Sequence, residues 1–388
     1  MVKTKAALLA AACAAWIGTA SAEEFKVGIL LPFSGVYAGL GSDIETGFNL
    51  ALEHFGDQLG DNTIITVRED TEVKPNVGLA KAKKLVLQDK VDVIAGIVSS
   101  GVLGGIRDFI HNAKVPLVVA NAGNNLMTGE KCSPYLVRVS FSNAMITRPM
   151  GPWMHEQGIQ KVYVMAADYA AGHQMADAFK ATFTAAGGEI IGEAYPPFKE
   201  TKDYGPFLTA AKAAGPDAIF VFFAGGEAIT FVKQYASFGL KESIPLFGAG
   251  FLTSPAYVNV QGEAADGVIG SLHYVPSIDT PENKRFQDAF QAVSDGRAAS
   301  EFAVQGYDAG RLIIEAIKAA DGDKEAFKAA LSKVSFTGPR GPLRIDPATN
   351  NVIQNIYIFR NEFNGKTVDQ KILDVVEDVQ DEPNGCQL

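Results

Sequence analysis

An α/β fold made of two doubly wound units is what this sequence predicts, and three observations predict it. Short apolar runs alternate with helical stripes from Phe25 onward. The alternation restarts near Pro149 and repeats over a stretch of similar size. The loops that follow the apolar runs share one character, small residues, hydroxyls and aromatic rings with few charges. Alternating strands and helices build a parallel sheet covered on both faces. Such sheets bind ligands beyond the carboxyl ends of their strands.

In chain order, residues 25–31 (FKVGILL) read as a first buried strand, followed by a turn through Pro32, Phe33, Ser34 and Gly35. Ile44, Phe48, Ala51 and Phe55 then mark a helix, with Ser42 or Asp43 as its cap. Residues 63–68 are a strand, 79–88 a helix after Pro75, and 115–120 (VPLVVA) a strand that ends in the loop formers Asn121, Ala122, Gly123, Asn124 and Asn125. The second unit places strands at 161–166, 188–194, 217–223, 243–248 and 267–275. Helices follow at about Met175 to Ala186, at 205–214 and from Gly226 to Phe238. Helices then dominate at 283–293, 302–320 and 324–334 before a break at 338–342, a strand at 351–360 and an acidic, loop-like end at 377–388.

The stretch 91–102 (VDVIAGIVSSGV) is the centre of the first unit. Its apolar run suits a buried parallel strand, and Leu103, Ile106, Phe109 (or Ile110) and Ala113 continue as a helix. Between them, Ser99 and Ser100 set two hydroxyls beside the free N–H groups of a helix N-terminus. That place suits an anion such as a carboxylate. The competing reading is a serine that merely caps the helix.

Charge and cysteines bound the partners. The 388 residues carry a formal charge of −10 with 47% hydrophobic residues. Lys3 and Lys5, an apolar middle at 6–17 and Ala20, Ser21, Ala22 read as an export signal. Cleavage after Ala22 removes two lysines and takes −10 to −12. The remaining chain has no basic block, which argues against nucleic acid and against an anionic membrane surface as partners. Cys132 and Cys386 are then the two cysteines left, either a disulfide formed in an oxidising compartment or two free thiols.

Signatures of catalysis fail one by one. Ser99 and Ser100 lie outside any G-x-S-x-G pattern. The five histidines lack metal-ligand spacing and no phosphate-binding loop is present, so neither enzyme nor cofactor nor metal is expected. What remains is a set of strand-end loops carrying Phe33, Ser34, Tyr37, Ser99, Ser100, Ala122, Tyr169, Gly225, Gly226 and Phe251. These suit a small, mostly apolar ligand with one polar end.

The stretches VGILLPFSGVYAGLG, IAGIVSSG, VVANAGNN, VYVMAADYAAG, IFVFFAGGEAITFVKQY, PLFGAGFL and VQGYDA, in this order, resemble the type I periplasmic solute-binding proteins of ABC importers, in the leucine/isoleucine/valine-binding group. The resemblance implies two α/β lobes joined by three crossings, near 140–143, 273–276 and 338–346. It places residues 23–141 and 276–340 in lobe 1, 142–275 and 341–370 in lobe 2, and 371–388 in a tail. It also implies a periplasmic protein, expected to be a monomer, that delivers its ligand to an inner-membrane ABC permease. Ser100 and the backbone at Ala122, Gly123 and Asn124 would hold the ligand's carboxylate.

Departures from the family pattern sharpen the expectation. Gly250 stands where amino-acid binders place an acid for the ammonium, and Leu40 and Ala171 stand where tyrosines are expected, with Tyr169 close by. An ammonium without that acid would be buried unpaired. The favoured ligand is therefore an aromatic acid of benzoate or phenylpropenoate type, surrounded by Phe33, Tyr169, Gly226 and Phe251. His273, Gln305 or Tyr307 would meet a ring hydroxyl. The competing readings are an amino-acid or amide binder using Glu227 or Asp308, and a ligand sensor for a membrane receptor.

Overall fold

The computed structural model describes residues 22–388, so the export segment apart from Ala22 lies outside the described residues. The first sheet has five parallel strands, β1 (Glu24–Leu31), β2 (Thr63–Asp70), β3 (Val93–Gly96), β4 (Leu117–Val119) and β5 (Leu136–Arg138), in the order β2-β1-β3-β4-β5. Helices α1 (Ala38–Phe55), α2 (Pro75–Leu87) and α3 (Ser100–Ala113) link the first four strands. β3 is buried along its whole length, as a central parallel strand between two helical layers must be.

The chain then passes through α4 (Asn143–Thr147) and α5 (Met150–Glu156) into the second unit. Its strands β6 (Lys161–Ala166), β7 (Glu189–Ala194), β8 (Ala218–Phe222), β9 (Leu246–Ala249) and β10 (Ile269–Leu272) are parallel, in the order β7-β6-β8-β9-β10. They alternate with α6 (Ala170–Ala185), α7 (Gly205–Ala214), α8 (Gly226–Ser237) and the single turn α9 (Val258–Gln261). After β10, helices α10 (Pro281–Val293), α11 (Glu301–Ala319) and α12 (Lys324–Ala330) return to the first unit. α11 lies directly on α1, and glycines permit the approach. A Cβ on Gly47 would stand 1.8 Å from the Ala303 carbonyl oxygen, and one on Gly306 1.9 Å from that of Ile44.

The chain finally adds β11 (Ser335–Gly338), β12 (Gly341–Ile345), β13 (Val352–Phe363) and β14 (Val368–Val379) to the second sheet, all antiparallel to their neighbours, making nine strands. Two expectations change here. β11 pairs within the second sheet, so the third passage between units precedes Ser335, and 335–340 do not go with the first lobe. Residues 371–379 are strand rather than tail or loop. β14 pairs only with β13, and its exposed acidic residues hide the strand in the sequence.

Beyond β14 the chain crosses back to the first unit. Asp381 accepts hydrogen bonds from Ser142 Oγ (2.8 Å), Asn351 Nδ2 (2.8 Å) and Arg148 Nη2 (3.1 Å). The fully buried Arg138, at the end of β5, donates to Asn351 Oδ1 (2.8 Å), Thr128 Oγ1 (2.9 Å) and the Asn124 carbonyl (2.9 Å). Cys386 then closes a disulfide with Cys132, Cα atoms 5.5 Å apart. A second buried arginine, Arg340, binds Asp308 Oδ2 (2.6 Å), the Ser140 carbonyl (3.1 Å), Gln354 and the Val139 carbonyl. It thereby ties the first passage to α11 and to the antiparallel strands of the second sheet. Among the described residues, no helix is long and apolar enough to cross a membrane, and no cluster of potential metal ligands is present.

Candidate ligand-binding cavity

Strand order reverses once in each parallel array, between β1 and β3 in the first sheet and between β6 and β8 in the second. Such switch points open crevices at the carboxyl ends of strands. Here the two crevices face one another across a cavity. The first unit contributes Tyr37 and Leu40 after β1, Val98 and Ser100 after β3, Asn121 and Gly123 after β4, and Phe302 from α11. The second contributes Tyr169, Ala171 and Met175 after β6, Phe222 and Ala224 at the end of β8, and Phe251 after β9. Phe141 and Asn143 enter from the passage between them.

A backbone kink aims the polar part of this wall. Ile97 adopts φ 66°, a left-handed conformation that a β-branched residue enters only at a cost of about 1–3 kcal/mol. The kink is held by Ile97 N–H to the Leu30 carbonyl (2.9 Å) and by Ala122 N–H to the Ile97 carbonyl (2.9 Å). It places Val98 and Ser100 on the wall and starts α3 there. Ser99 is the N-cap of α3 but makes no side-chain capping bond, so capping does not explain the serine pair. The first-turn N–H groups of this helix have no intrahelical acceptor, and the helix dipole favours negative charge beside them. Ser100 Oγ accepts from Asn143 Nδ2 (3.2 Å), which leaves the serine proton free to donate into the cavity.

Polar groups behind the wall fix this arrangement. Gln174 Oε1, from α6, accepts from Asn143 Nδ2 (2.8 Å) and Asn125 N–H (2.8 Å), while its Nε2 donates to Asn124 Oδ1 (3.0 Å). Asn124 Nδ2 in turn donates to the Ser100 carbonyl (3.1 Å). Asn121 Nδ2 donates to Gln305 Oε1 (2.6 Å), and Gln305 Nε2 stands 3.0 Å from His273 Nε2, which therefore accepts. Burial, reinforced by the Arg340 charge, pushes the His273 imidazole well below its ordinary pKa, so it is neutral. At another part of the wall the hydroxyls of Tyr37 and Tyr169 meet across the two units at 3.0 Å. Burial pushes both phenols well up, so both keep their protons. None of the residues lining the cavity is charged.

Of the residues singled out from sequence, Tyr37, Leu40, Ser100, Gly123, Tyr169, Ala171 and Phe251 line the cavity. Ser99, Ala122 and Asn124 stand just behind it, buried. Phe33 lies off the wall, its ring covered by the Arg68 guanidinium at 3.5 Å. Gly226 belongs to an outer groove shared with Asp43, Tyr257 and Arg297. Gly250 faces the core, since a Cβ there would meet Leu272 Cβ at 2.8 Å and Phe359 Cε1 at 2.9 Å. That position sends nothing toward the ligand, and Phe251 is what its loop presents. His273 is stacked behind Phe141, ring centroids 5.4 Å apart, and Tyr307 bonds His54 Nδ1 (2.7 Å) instead of facing the cavity. Neither candidate for an ammonium partner lines it. Asp308 pairs with Arg340, and Glu227 Oε1 accepts from Lys199 N–H (2.7 Å).

Sequence reasoning missed Val98, Asn121, Phe141, Asn143, Met175, Phe222, Ala224 and Phe302 as wall residues. Two signals were available. Phe222 and Ala224 follow a strong strand, and Met175 lies four residues after Ala171 on one helix face. Nothing local marks Phe302, which reaches the cavity only because α11 packs on α1.

The family model described as "Periplasmic binding protein" matches residues 24–366. A curated relative, the Leu/Ile/Val-binding protein homolog 6 of Brucella melitensis, is 34% identical over 345 residues, covering 87% of this chain and 88% of the relative. A solute-binding protein of an ABC transporter from R. palustris, determined in complex with benzoate, superposes with a TM-score of 0.86 at 36% identity, covering 94% of this chain and 100% of that one. One from Rhodopseudomonas palustris BisB5, in complex with 3,4-dihydroxybenzoic acid, gives 0.87 at 35% identity, covering 92% and 98%. With two α/β lobes meeting over a cavity at their switch points, the chain belongs to the periplasmic binding protein family.

Proposed function

We propose that this chain captures a benzoate-type aromatic carboxylate for an ABC importer. One observation carries the reading: a cavity with six aromatic rings and no charged side chain on its wall, entered by a helix N-terminus and the Ser100 hydroxyl. A carboxylate finds donors there, an aromatic ring finds apolar faces, and an ammonium finds no counter-charge. The relatives in complex with benzoate and 3,4-dihydroxybenzoic acid support the same class. Hydrogen bonds that join the two units around the cavity, from Gln174 and between Tyr37 and Tyr169, support capture by lobe closure. On this reading the protein is an exported periplasmic monomer. It presents its closed form to an inner-membrane permease and releases the acid unchanged.

The test is a thermal-shift series on protein unfolded and refolded to strip carried-over ligand, with aromatic acids in one arm and leucine and valine in the other. A ligand at 100 times its Kd adds about 2.7 kcal/mol of stability. Stabilisation by benzoates alone is the expected result. Stabilisation by leucine or valine alone overturns the aromatic assignment.

A further inference from the structure

Apart from Asn121, whose side chain is tied to Gln305 (2.6 Å), the polar groups on the cavity wall fall into two sets that share no hydrogen bond. Ser100, Gly123 and Asn143 form one, joined by Asn143 Nδ2 to Ser100 Oγ (3.2 Å) and Asn143 N–H to the Gly123 carbonyl (2.6 Å). The Tyr37 and Tyr169 hydroxyls form the other. A ligand carboxylate on the first set leaves the second unexplained.

The second set is not self-sufficient. Two phenols carry two protons, and the bond between them uses one. Among the described residues neither hydroxyl has another partner, so one O–H proton lacks an acceptor in the protein. Both residues are held firmly. Tyr169 is the N-cap of α6 and stacks on Phe198 with centroids 4.1 Å apart and planes at 12°. Tyr37 is 2% exposed and packs against Gly225, where a Cβ would stand 3.2 Å from its ring. A donor without an acceptor is unfavourable where water is excluded, and both tyrosines line the ligand cavity.

Building on the aromatic-acid reading, we propose that the Tyr37–Tyr169 pair is a specificity element that recognises an oxygen substituent on the ring, so that the ligand class is hydroxylated benzoates rather than benzoate itself. The substituent oxygen accepts the spare phenol proton, and a hydroxyl there also donates back to a phenol lone pair. Because the two tyrosines come from different units, the substituent also strengthens the seam that closes over the ligand. A pocket built to hydrogen-bond a hydroxyl discriminates strongly against an isostere that lacks one, since the wall donor is then left unpaired.

The experiment is calorimetric titration of the full chain with benzoate, 4-hydroxybenzoate, 3-hydroxybenzoate and 4-methylbenzoate. The methyl compound matches the 4-hydroxy compound in size and offers no acceptor. The wild type is expected to bind at least one hydroxybenzoate about tenfold more tightly than benzoate or the methyl isostere. The double variant Tyr37→Phe/Tyr169→Phe, checked for an unchanged unfolding transition, is expected to bring that ratio toward one, because either single variant still leaves one unpaired phenol proton. Benzoate or 4-methylbenzoate binding as tightly as both hydroxybenzoates in the wild type overturns the inference while leaving the aromatic-acid reading intact. A ratio that survives in the double variant also overturns it. Binding of none of the four acids fails the aromatic-acid reading and this inference with it.

Discussion

The wall from the five-stranded sheet brings Ser100, Asn121, Gly123 and the start of α3 to the cavity, whereas the wall from the nine-stranded sheet brings Ala171, Met175, Phe222, Ala224 and Phe251, with Tyr169 as its single hydroxyl. The first wall can replace the hydration of a charge by itself. The second offers mainly apolar surface, whose contribution comes when water is expelled between the units. A carboxylate seated first on the second wall would lose water without gaining donors. On the proposed reading, orientation and enclosure are separate tasks given to separate sheets, the polar wall engaging first and the apolar wall on closing.

Altering one wall at a time breaks this comparison or sharpens it. The largest effect is expected from Phe251→Ala. This ring is 3% exposed and packs on Phe141 at 5.1 Å and Phe302 at 5.8 Å, so its loss should lower the unfolding free energy by about 3–5 kcal/mol. Denaturant unfolding measures it, and a loss under about 1 kcal/mol would mean that the ring is not part of a packed wall. Ser100→Ala on the polar wall should do the reverse. Unfolding should change little, while benzoate affinity falls by about 1.5–3 kcal/mol, the worth of a hydrogen bond to a charged group. Unchanged affinity by calorimetry would remove Ser100 from the carboxylate site.

The seam beside the cavity has its own titration. Ser254 Oγ, from the loop after Phe251, donates to Glu301 Oε2 (2.7 Å) in the first turn of α11. Burial pushes the Glu301 carboxyl up to about 8, with the Ser254 bond opposing and the Asp43 charge adding. Between the ordinary carboxyl range and about 8 the folded chain therefore holds a proton that the unfolded chain has released. Stability should fall as pH rises through this window, by about 1.4 kcal/mol per unit for this one group, and level off beyond it. Burial raises Glu227 and Asp308 in the same sense, so Glu301→Gln should reduce the slope of melting temperature against pH without abolishing it. An identical slope in that variant would show that Glu301 is ionised in the folded chain. The smallest effect belongs to Gln174→Ala, which removes the fastening between the walls at their polar end. It should weaken ligand binding by about 1 kcal/mol and raise the dissociation rate in stopped-flow measurements. An unchanged dissociation rate would show that these bonds do not hold the closed form.

Much of the fold was legible because the buried strands are apolar along their length. The expected 25–31 and 217–223 match β1 and β8 to within a residue or so. The short strand β5 and the antiparallel β11, β12 and β14 were missed. Strands of three to five residues leave little pattern, and β14 wears acids on an open face. On the cavity wall, Ser100 was legible from its place in a small-residue turn between a buried strand and a helix, with helix capping as the other use of such a serine. Gly250 misled, because spacing from a strand cannot say which side of the chain a missing side chain would have occupied. The opposite error was made for His273. A histidine near a crossing looks like a ligand group until the ring of Phe141 is seen standing in front of it.

The Cys132–Cys386 bond spans 254 residues, and every strand of both sheets precedes its second cysteine. Cys132 lies just ahead of β5, so it emerges early and waits for a partner that is made only after β14. The bridge can therefore close only on a chain whose second sheet is already synthesised. A chain interrupted anywhere before Cys386 would keep a free thiol at Cys132, which a thiol-reactive label would detect as a record of incomplete synthesis.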